Sequence, residues 1–278
     1  MRIIHIAIIS AACALIAAAQ DKITVPISNP SQPVTIKATL FLSSIKVTAG
    51  TGRELYVTAT QGMNGNNSER DTAPPGMKRI GARPGMNIEE DHNVVTISAG
   101  SMTGRGGDLL IEAPVNSNLQ LKTMNGSSID VTGISGDLEI ENTNGYIKLT
   151  NVSGSVVAHT LNGSVTASLD HVTPDKPMSF TSLNGKVDVT LPADTKARLR
   201  LKTDNGSIFS DFDVKLEADS AKPAIEDSRS QNGKYKISVD RSVTGTINGG
   251  GPEYTFQTMN GSILIHKAGN SPSIVVTH

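Results

Sequence analysis

The sequence predicts an all-β chain wound as a parallel single-stranded β-solenoid, a β-helix with irregular N-terminal strands and long loops. Three observations carry this. Asn-Gly recurs at Asn125-Gly126, Asn144-Gly145, Asn162-Gly163, Asn184-Gly185, Asn205-Gly206 and Asn260-Gly261, each followed within a few residues by Ile or Val. A second turn lies half-way between the early copies, at Ile134-Ser135-Gly136 and Val152-Ser153-Gly154, so the corners from Gly126 to Gly163 fall ten, nine, nine and nine residues apart. Between corners the chain reads apolar, polar, apolar, as at 129–131, 138–140, 147–149, 156–158 and 165–167. That alternation turns one side of each short strand inward and the other outward. A unit so small cannot bury its apolar face alone, so the copies must stack.

Taken in order, the first 19 residues read as a signal peptide. Arg2 precedes an apolar run to Ala19, and the small residues Ala17 and Ala19 suit a cleavage site after Ala19. An uncleaved anchor is the alternative, though the run is short for a bilayer span. Cys13, the single cysteine, lies inside this run and is followed by more apolar residues, which does not match a lipid attachment site. The mature chain, 20–278, is then one domain without a thiol and depends on packing and backbone ladders for stability.

Alternating apolar residues predict strands at 23–27, 34–40, 45–48 and 55–59. From 61 to 92 Asn, Gly, Pro and charged residues dominate, which predicts a long exposed loop. Strand character returns at 94–97 and 109–113, and the repeats begin at Leu119. Their consensus is Thr or Ser, one spacer residue, then Asn-Gly; the second copy, Thr143-Asn144-Gly145, reads as lacking the spacer. Asn and Gly suit corners because both tolerate positive φ, and stacked Asn side chains can hydrogen-bond along a column. An antiparallel meander would also use Asn-Gly turns. It would not need the same Thr-Asn-Gly phase at every second turn, whereas stacking rewards that repetition. Five or six coils predict a stack of roughly 25 Å, closed at its N-terminal end by the less regular strands.

Asn205 and Asn260 are 55 positions apart, so a loop excursion over 212–252 is expected, with strands near 235–239 and 244–248 rejoining the stack. Gly249-Gly250-Gly251-Pro252 turns the chain into final strands at 254–258, 263–265 and 274–276. The pairs that begin at Asn64, Asn232 and Asn248 lack the Thr-spacer context and read as ordinary turns.

The runs LQLKTMNG from Leu119, VSGSVVAHTLNG from Val152 and GGGPEYTFQTMNGSI from Gly249 resemble the bacterial putative-adhesin family, a β-strand-repeat domain of unknown function. The resemblance spans roughly 34–267 and implies a β-solenoid that is secreted or envelope-associated and non-enzymatic. It carries over no catalytic residues.

Chemistry is sparse. His5, His92, His159, His171, His266 and His278 are scattered, without metal-ligand spacing. Asp91-His92 and Asp170-His171 lie in turn contexts and have no Ser nucleophile elbow beside them. A polysaccharide lyase or hydrolase on a β-helix is the rival function, and Asp130 and Asp188 are its nominal carboxylates. The Gly-rich stretch Gly104-Arg105-Gly106-Gly107 lacks the Lys and Ser/Thr of a phosphate loop. No cofactor and no metal are expected. A net charge of -1 gives no drive toward nucleic acid. The expected partners are glycan, envelope protein or another copy of the chain, in the periplasm, outer envelope or cell surface, with no membrane span in the mature chain.

Overall fold

The structure, a computed structural model, describes residues 22–59, 85–100, 108–125, 128–217, 224–228, 234–238 and 242–269. The expected signal peptide, most of the 61–92 loop, Gly126 and the strand at 274–276 lie outside these residues. The described residues are all-β. In the N-terminal part the strands are β1 (Lys22–Val25), β2 (Val34–Leu40), β3 (Ile45–Gly50), β4 (Leu55–Ala59), β5 (Gly85–Asp91), β6 (Val94–Gly100) and β7 (Leu109–Pro114). The repeats form β8 (Ser117–Thr123), β9 (Ser128–Thr132), β10 (Ser135–Asn144), β11 (Tyr146–Asn162), β12 (Val165–Val172), β13 (Met178–Asn184), β14 (Val187–Leu191), β15 (Ala197–Asn205) and β16 (Ile208–Ser210). The C-terminal part adds β17 (Lys215–Leu216), β18 (Ala224–Ser228), β19 (Lys234–Ser238), β20 (Val243–Ile247), β21 (Glu253–Asn260) and β22 (Ile263–Lys267).

All of these strands except β18 and β19 belong to one sheet, most of them stacked as rungs with two arms. On one face the parallel neighbours run β6, β2, β8, β10, β11, β13, β21, β15. On the other they run β7, β3, β9, β11, β12, β14, β22, β16. β11 serves both faces: its first part pairs with β9, and its second part pairs with β10 and β13. It bends where Asn151 (φ 51°) and Gly154 (φ 119°) take left-handed backbone. The described residues thus make eight rungs, about 34 Å of stack at the usual strand spacing, more than the five or six expected.

The stacking order departs from chain order at both ends. The rung β21–β22 lies between β13–β14 and β15–β16, and β2–β3 lies between β6–β7 and β8–β9. Each terminal segment is therefore held by parallel ladders on both of its edges. Antiparallel strands close the stack beyond them, with β5 on β6, then β4 on β7 and β1 on β4 at one end, and β20 on β15 with β17 on β20 at the other. The strand near 244–248 thus rejoins as an antiparallel cap and not as a further coil, and the strand near 235–239, β19, does not rejoin the stack but pairs antiparallel with β18 in a separate two-stranded sheet. Such caps protect open ladder edges. Arg198 fastens the C-terminal cap through two hydrogen bonds to the Glu217 carboxylate, at 3.1 and 2.8 Å, and one to Glu253 at 3.2 Å.

One continuous core fills the space between the faces, from Val25 to Ile265, mostly Val, Ile, Leu and Ala. Each fully buried aliphatic side chain contributes about 2 kcal/mol of transfer free energy. Near the C-terminal end the layer thickens around Phe180 and Phe256, stacked with ring centroids 5.3 Å apart, beside buried Tyr254.

Residues 85–91 correct the loop expectation. They form β5, antiparallel to β6 across a tight turn in which His92 (φ 49°) and Asn93 (φ 64°) are both left-handed. Glu90 ties this hairpin to the first strands by accepting hydrogen bonds from the Ser28 hydroxyl and the backbone N–H groups of Ser28 and Asn93. Those donors hold its carboxyl below the usual range.

Candidate functional site

Each position of the corner signature has a separate physical task. The first is a hydroxyl, buried in Thr160, Ser182 and Thr258 and half-buried in Thr203, that donates to a carbonyl of the adjacent rung: Thr160 to Gly145, Ser182 to Gly163, Thr258 to Gly185 and Thr203 to Gly261, all at 2.8 Å. Thr123 makes the corresponding bond to Ser43 at 3.0 Å. The second copy does have a spacer. Asn142 pairs in register with Thr123 and Thr160, so Asn142 occupies the hydroxyl position and Thr143 is the spacer. A Thr-centred consensus misses this copy because Thr143 resembles the motif while standing one residue late.

The Asn side chains form a ladder. Asn144 donates to Asn125, Asn162 to Asn144, Asn184 to Asn162, Asn260 to Asn184 and Asn205 to Asn260, at 2.7 to 2.8 Å. The glycines permit close approach. A Cβ on Gly163 would lie 2.1 Å from the Gly145 carbonyl oxygen, and Gly185, Gly261 and Gly206 repeat the contact on Gly163, Gly185 and Gly261. At the opposite edge a Cβ on Gly154 would meet the Gly136 carbonyl at 2.0 Å. Column stacking brings eleven of the fourteen predicted turn residues together at one edge and Gly136 with Gly154 at the other, and Gly126 lies outside the described residues.

The outward positions form in-register columns. Down the second face Thr48, Thr132 and Thr150 lie in register, and beyond a bulge at Asn151, whose N–H donates to the Ser168 hydroxyl at 2.9 Å, Ser168 lies in register with Thr190. Beside them lie Lys46, Asp130, Lys148, Thr166 and Asp188. On the first face a groove of about 500 Å³ is lined by Asn118, Gln120, Asp137, Glu139, Val157 and Lys176. Asp137 there accepts from Lys176 at 2.8 Å and from the Ser155 hydroxyl at 2.7 Å, which keeps its carboxyl below the usual range. A smaller hollow of about 360 Å³ lies at the other edge, beside Pro33, Gly50, Arg53 and Asn116.

The two nominal carboxylates of the enzyme reading do not meet. Asp130 and Asp188 stand three strands apart in one column, about 14 Å at the usual spacing. Paired glycosidase carboxylates stand roughly 5 to 9.5 Å apart. Asp130 accepts from the Ser128 hydroxyl at 2.9 Å. Asp188 is engaged by Lys186 at 2.9 Å and lies 3.4 Å from His266. His159 bonds Thr181 at 2.7 Å, His92 contacts its neighbour Asp91, and His171 is exposed. His5 and His278 lie outside the described residues. Among the described residues no group of three or more His, Cys, Asp or Glu could hold a metal ion, and no helix is long and apolar enough to cross a membrane.

Residues 44–248 match the family model described as Toastrack DUF4097. No curated protein matches the chain. Two solved structures align with the chain. A putative cell adhesion protein from Clostridium sporogenes ATCC 15579 covers 90% of this chain and 100% of its own, at 10% identity and a TM-score of 0.41. A putative adhesin from Bacteroides fragilis NCTC 9343 covers 90% of this chain and 98% of its own, at 9% identity and a TM-score of 0.28.

Proposed function

The chain belongs to the Toastrack DUF4097 family, and from that membership and the geometry above we propose that it is a non-enzymatic, adhesin-like binding scaffold of the bacterial envelope. The single observation that carries the reading is the run of outward hydroxyls on the second face, Thr48, Thr132 and Thr150 in register and Ser168 with Thr190 beyond the bulge at Asn151. Hydroxyls repeated about every 4.8 Å offer donors and acceptors at a regular pitch. That pattern suits a ligand that is itself repetitive and rich in hydroxyls, which makes glycan the first class to test. The continuous core from Val25 to Ile265 supports treating 20–278 as one domain. Export rests on the apolar segment before Gln20. Mass analysis of protein recovered from the periplasm is expected to find Gln20 at its N-terminus.

The test pairs a glycan array with a polysaccharide-cleavage assay on the full-length chain. Binding without turnover, weakened by Thr150→Val with Ser168→Ala, is the expected result. Cleavage that is lost in Asp188→Ala would replace this reading with the enzyme one. Absence of any glycan ligand would leave a spacer role.

A further inference from the structure

Three positions of the corner signature serve the stack: the hydroxyl, the Asn and the Gly. The spacer between hydroxyl and Asn makes no such contribution, yet it is apolar in most rungs. In stack order these positions are Phe41, Met124, Thr143, Leu161, Leu183 and Met259, with Asp204 at the end. Met124 is set beside Phe41 by the bonds from the Met124 N–H to Leu40 and from the Asn125 N–H to Phe41. The apolar members are 36 to 45% exposed. Single exposed apolar side chains are ordinary, whereas a contiguous patch marks an interaction surface. This one is a stripe about 24 Å long, interrupted only by the Thr143 side chain.

We propose that the stripe is a docking surface for a second copy of this chain, the two stripes lying antiparallel about a two-fold axis. The repeat itself selects the occupant, since another copy has side chains at the same strand pitch. An axis through the midpoint between Thr143 and Leu161 sets Phe41 opposite the partner's Met259, Met124 opposite the partner's Leu183 and Thr143 opposite the partner's Leu161. Asp204 then falls beyond the contact. The next outward column, which includes Lys122, Glu141, His159 and Thr181, brings Glu141 toward the partner's His159 and Lys122 toward the partner's Thr181. No like charges are opposed. An exposed apolar area on the order of 400 Å² per copy lies at the low end for specific contacts, so the dimer is weak and concentration-dependent. The proposal is independent of what the polar faces bind.

Sedimentation velocity of the full-length chain across micromolar concentrations tests it. A reversible monomer–dimer equilibrium is expected. Leu161→Asp with Leu183→Asp raises its Kd roughly tenfold or more, because a charge is forced into an apolar contact. Val157→Asp, on the same face but outside the stripe, leaves the Kd unchanged. A dimer that persists unchanged in the double variant, or a monomer at every concentration, overturns the proposal. The antiparallel pairing has its own readout. Met124→Lys and Leu183→Glu each weaken self-association, and mixing the two proteins restores a dimer; no recovery in the mixture rules out this axis. Circular dichroism checks that these exposed substitutions leave the fold intact. If instead a monomer binds phosphatidylglycerol vesicles and loses that binding in the double variant, the stripe is a lipid-facing surface and the second-copy assignment fails.

Discussion

The Asn205 side-chain amide donates to the Asn260 oxygen at 2.8 Å, although 55 residues separate them and Asn260 lies between Asn205 and Asn184. The last Asn-Gly corner of the chain is therefore an interior rung of the stack. Asn260 both donates and accepts in the ladder, whereas Asn205 ends it. Asn260→Ala is expected to lower stability by about 1 kcal/mol more than Asn205→Ala, since it removes one further hydrogen bond. Urea denaturation of the two variants measures the difference.

Gly163 and Gly249 separate two reasons for glycine. A Cβ on Gly163 collides with the Gly145 carbonyl oxygen at 2.1 Å, while a Cβ on Gly249 (φ 92°) meets nothing within 4 Å. Gly163→Ala must push rungs apart and is expected to cost about 3 kcal/mol. Gly249→Ala incurs only backbone strain, about 1 kcal/mol. Equal losses in thermal or urea unfolding would contradict the close-approach explanation.

Asn142 is the weak member of the corner series that holds Thr123 and Thr160. Its Oδ1 is buried with no hydrogen-bond partner, and its Nδ2 reaches the Tyr146 carbonyl only at 3.4 Å. Asn142→Thr removes the orphaned oxygen and restores the residue type of its neighbours Thr123 and Thr160, so it is expected to stabilise by about 1 kcal/mol. Thr160→Val has the opposite effect, because it strips the Gly145 carbonyl of its donor, and costs about 1 to 3 kcal/mol. Shifts in the urea midpoint check both signs.

Tyr254 supplies a pH dependence. It is buried, and loss of hydration pushes its phenol above the ordinary value of 10.0. In the unfolded chain the phenol ionises from about pH 10.0 upward, while in the folded chain it stays protonated. Its contribution is thus fully present below pH 10.0 and is lost as pH rises from there through the folded value. Tyr254→Phe is expected to unfold less steeply with pH than the unaltered chain in this alkaline window. Parallel curves would show that the phenol is hydrated in the native state.

The corners were legible because each makes local demands. A buried hydroxyl, a stackable amide and an absent Cβ recur at fixed spacing, and Asn162-Gly163 reads the same whatever lies next to it. The order of stacking was not legible for the same reason. The Asn184 oxygen would find an equivalent amide donor on Asn205 or Asn260, so no local feature announces that β21–β22 intercalates. The β5 hairpin escaped notice because its turn uses His92-Asn93 where Asn-Gly would be the familiar signal. Its anchoring by Glu90 to Ser28 spans 62 residues, beyond any periodicity. Of the candidate site, the Thr and Ser columns appear only once register aligns residues from separate rungs. The separation of Asp130 from Asp188 likewise depends on how many strands lie between them.

Pairwise cysteine crosslinking along the ladder tests the intercalated stack most directly. In a Cys13→Ser background, Asn184→Cys with Asn260→Cys places two thiols on adjacent strands about 4.8 Å apart, within reach of a disulfide. Asn184→Cys with Asn205→Cys places them two strands apart, roughly 10 Å, which is out of reach. Rapid oxidation of the first pair and none of the second is the expected result. A disulfide between positions 184 and 205, with none between 184 and 260, would mean that the rungs stack in chain order and that the C-terminal segment lies outside them.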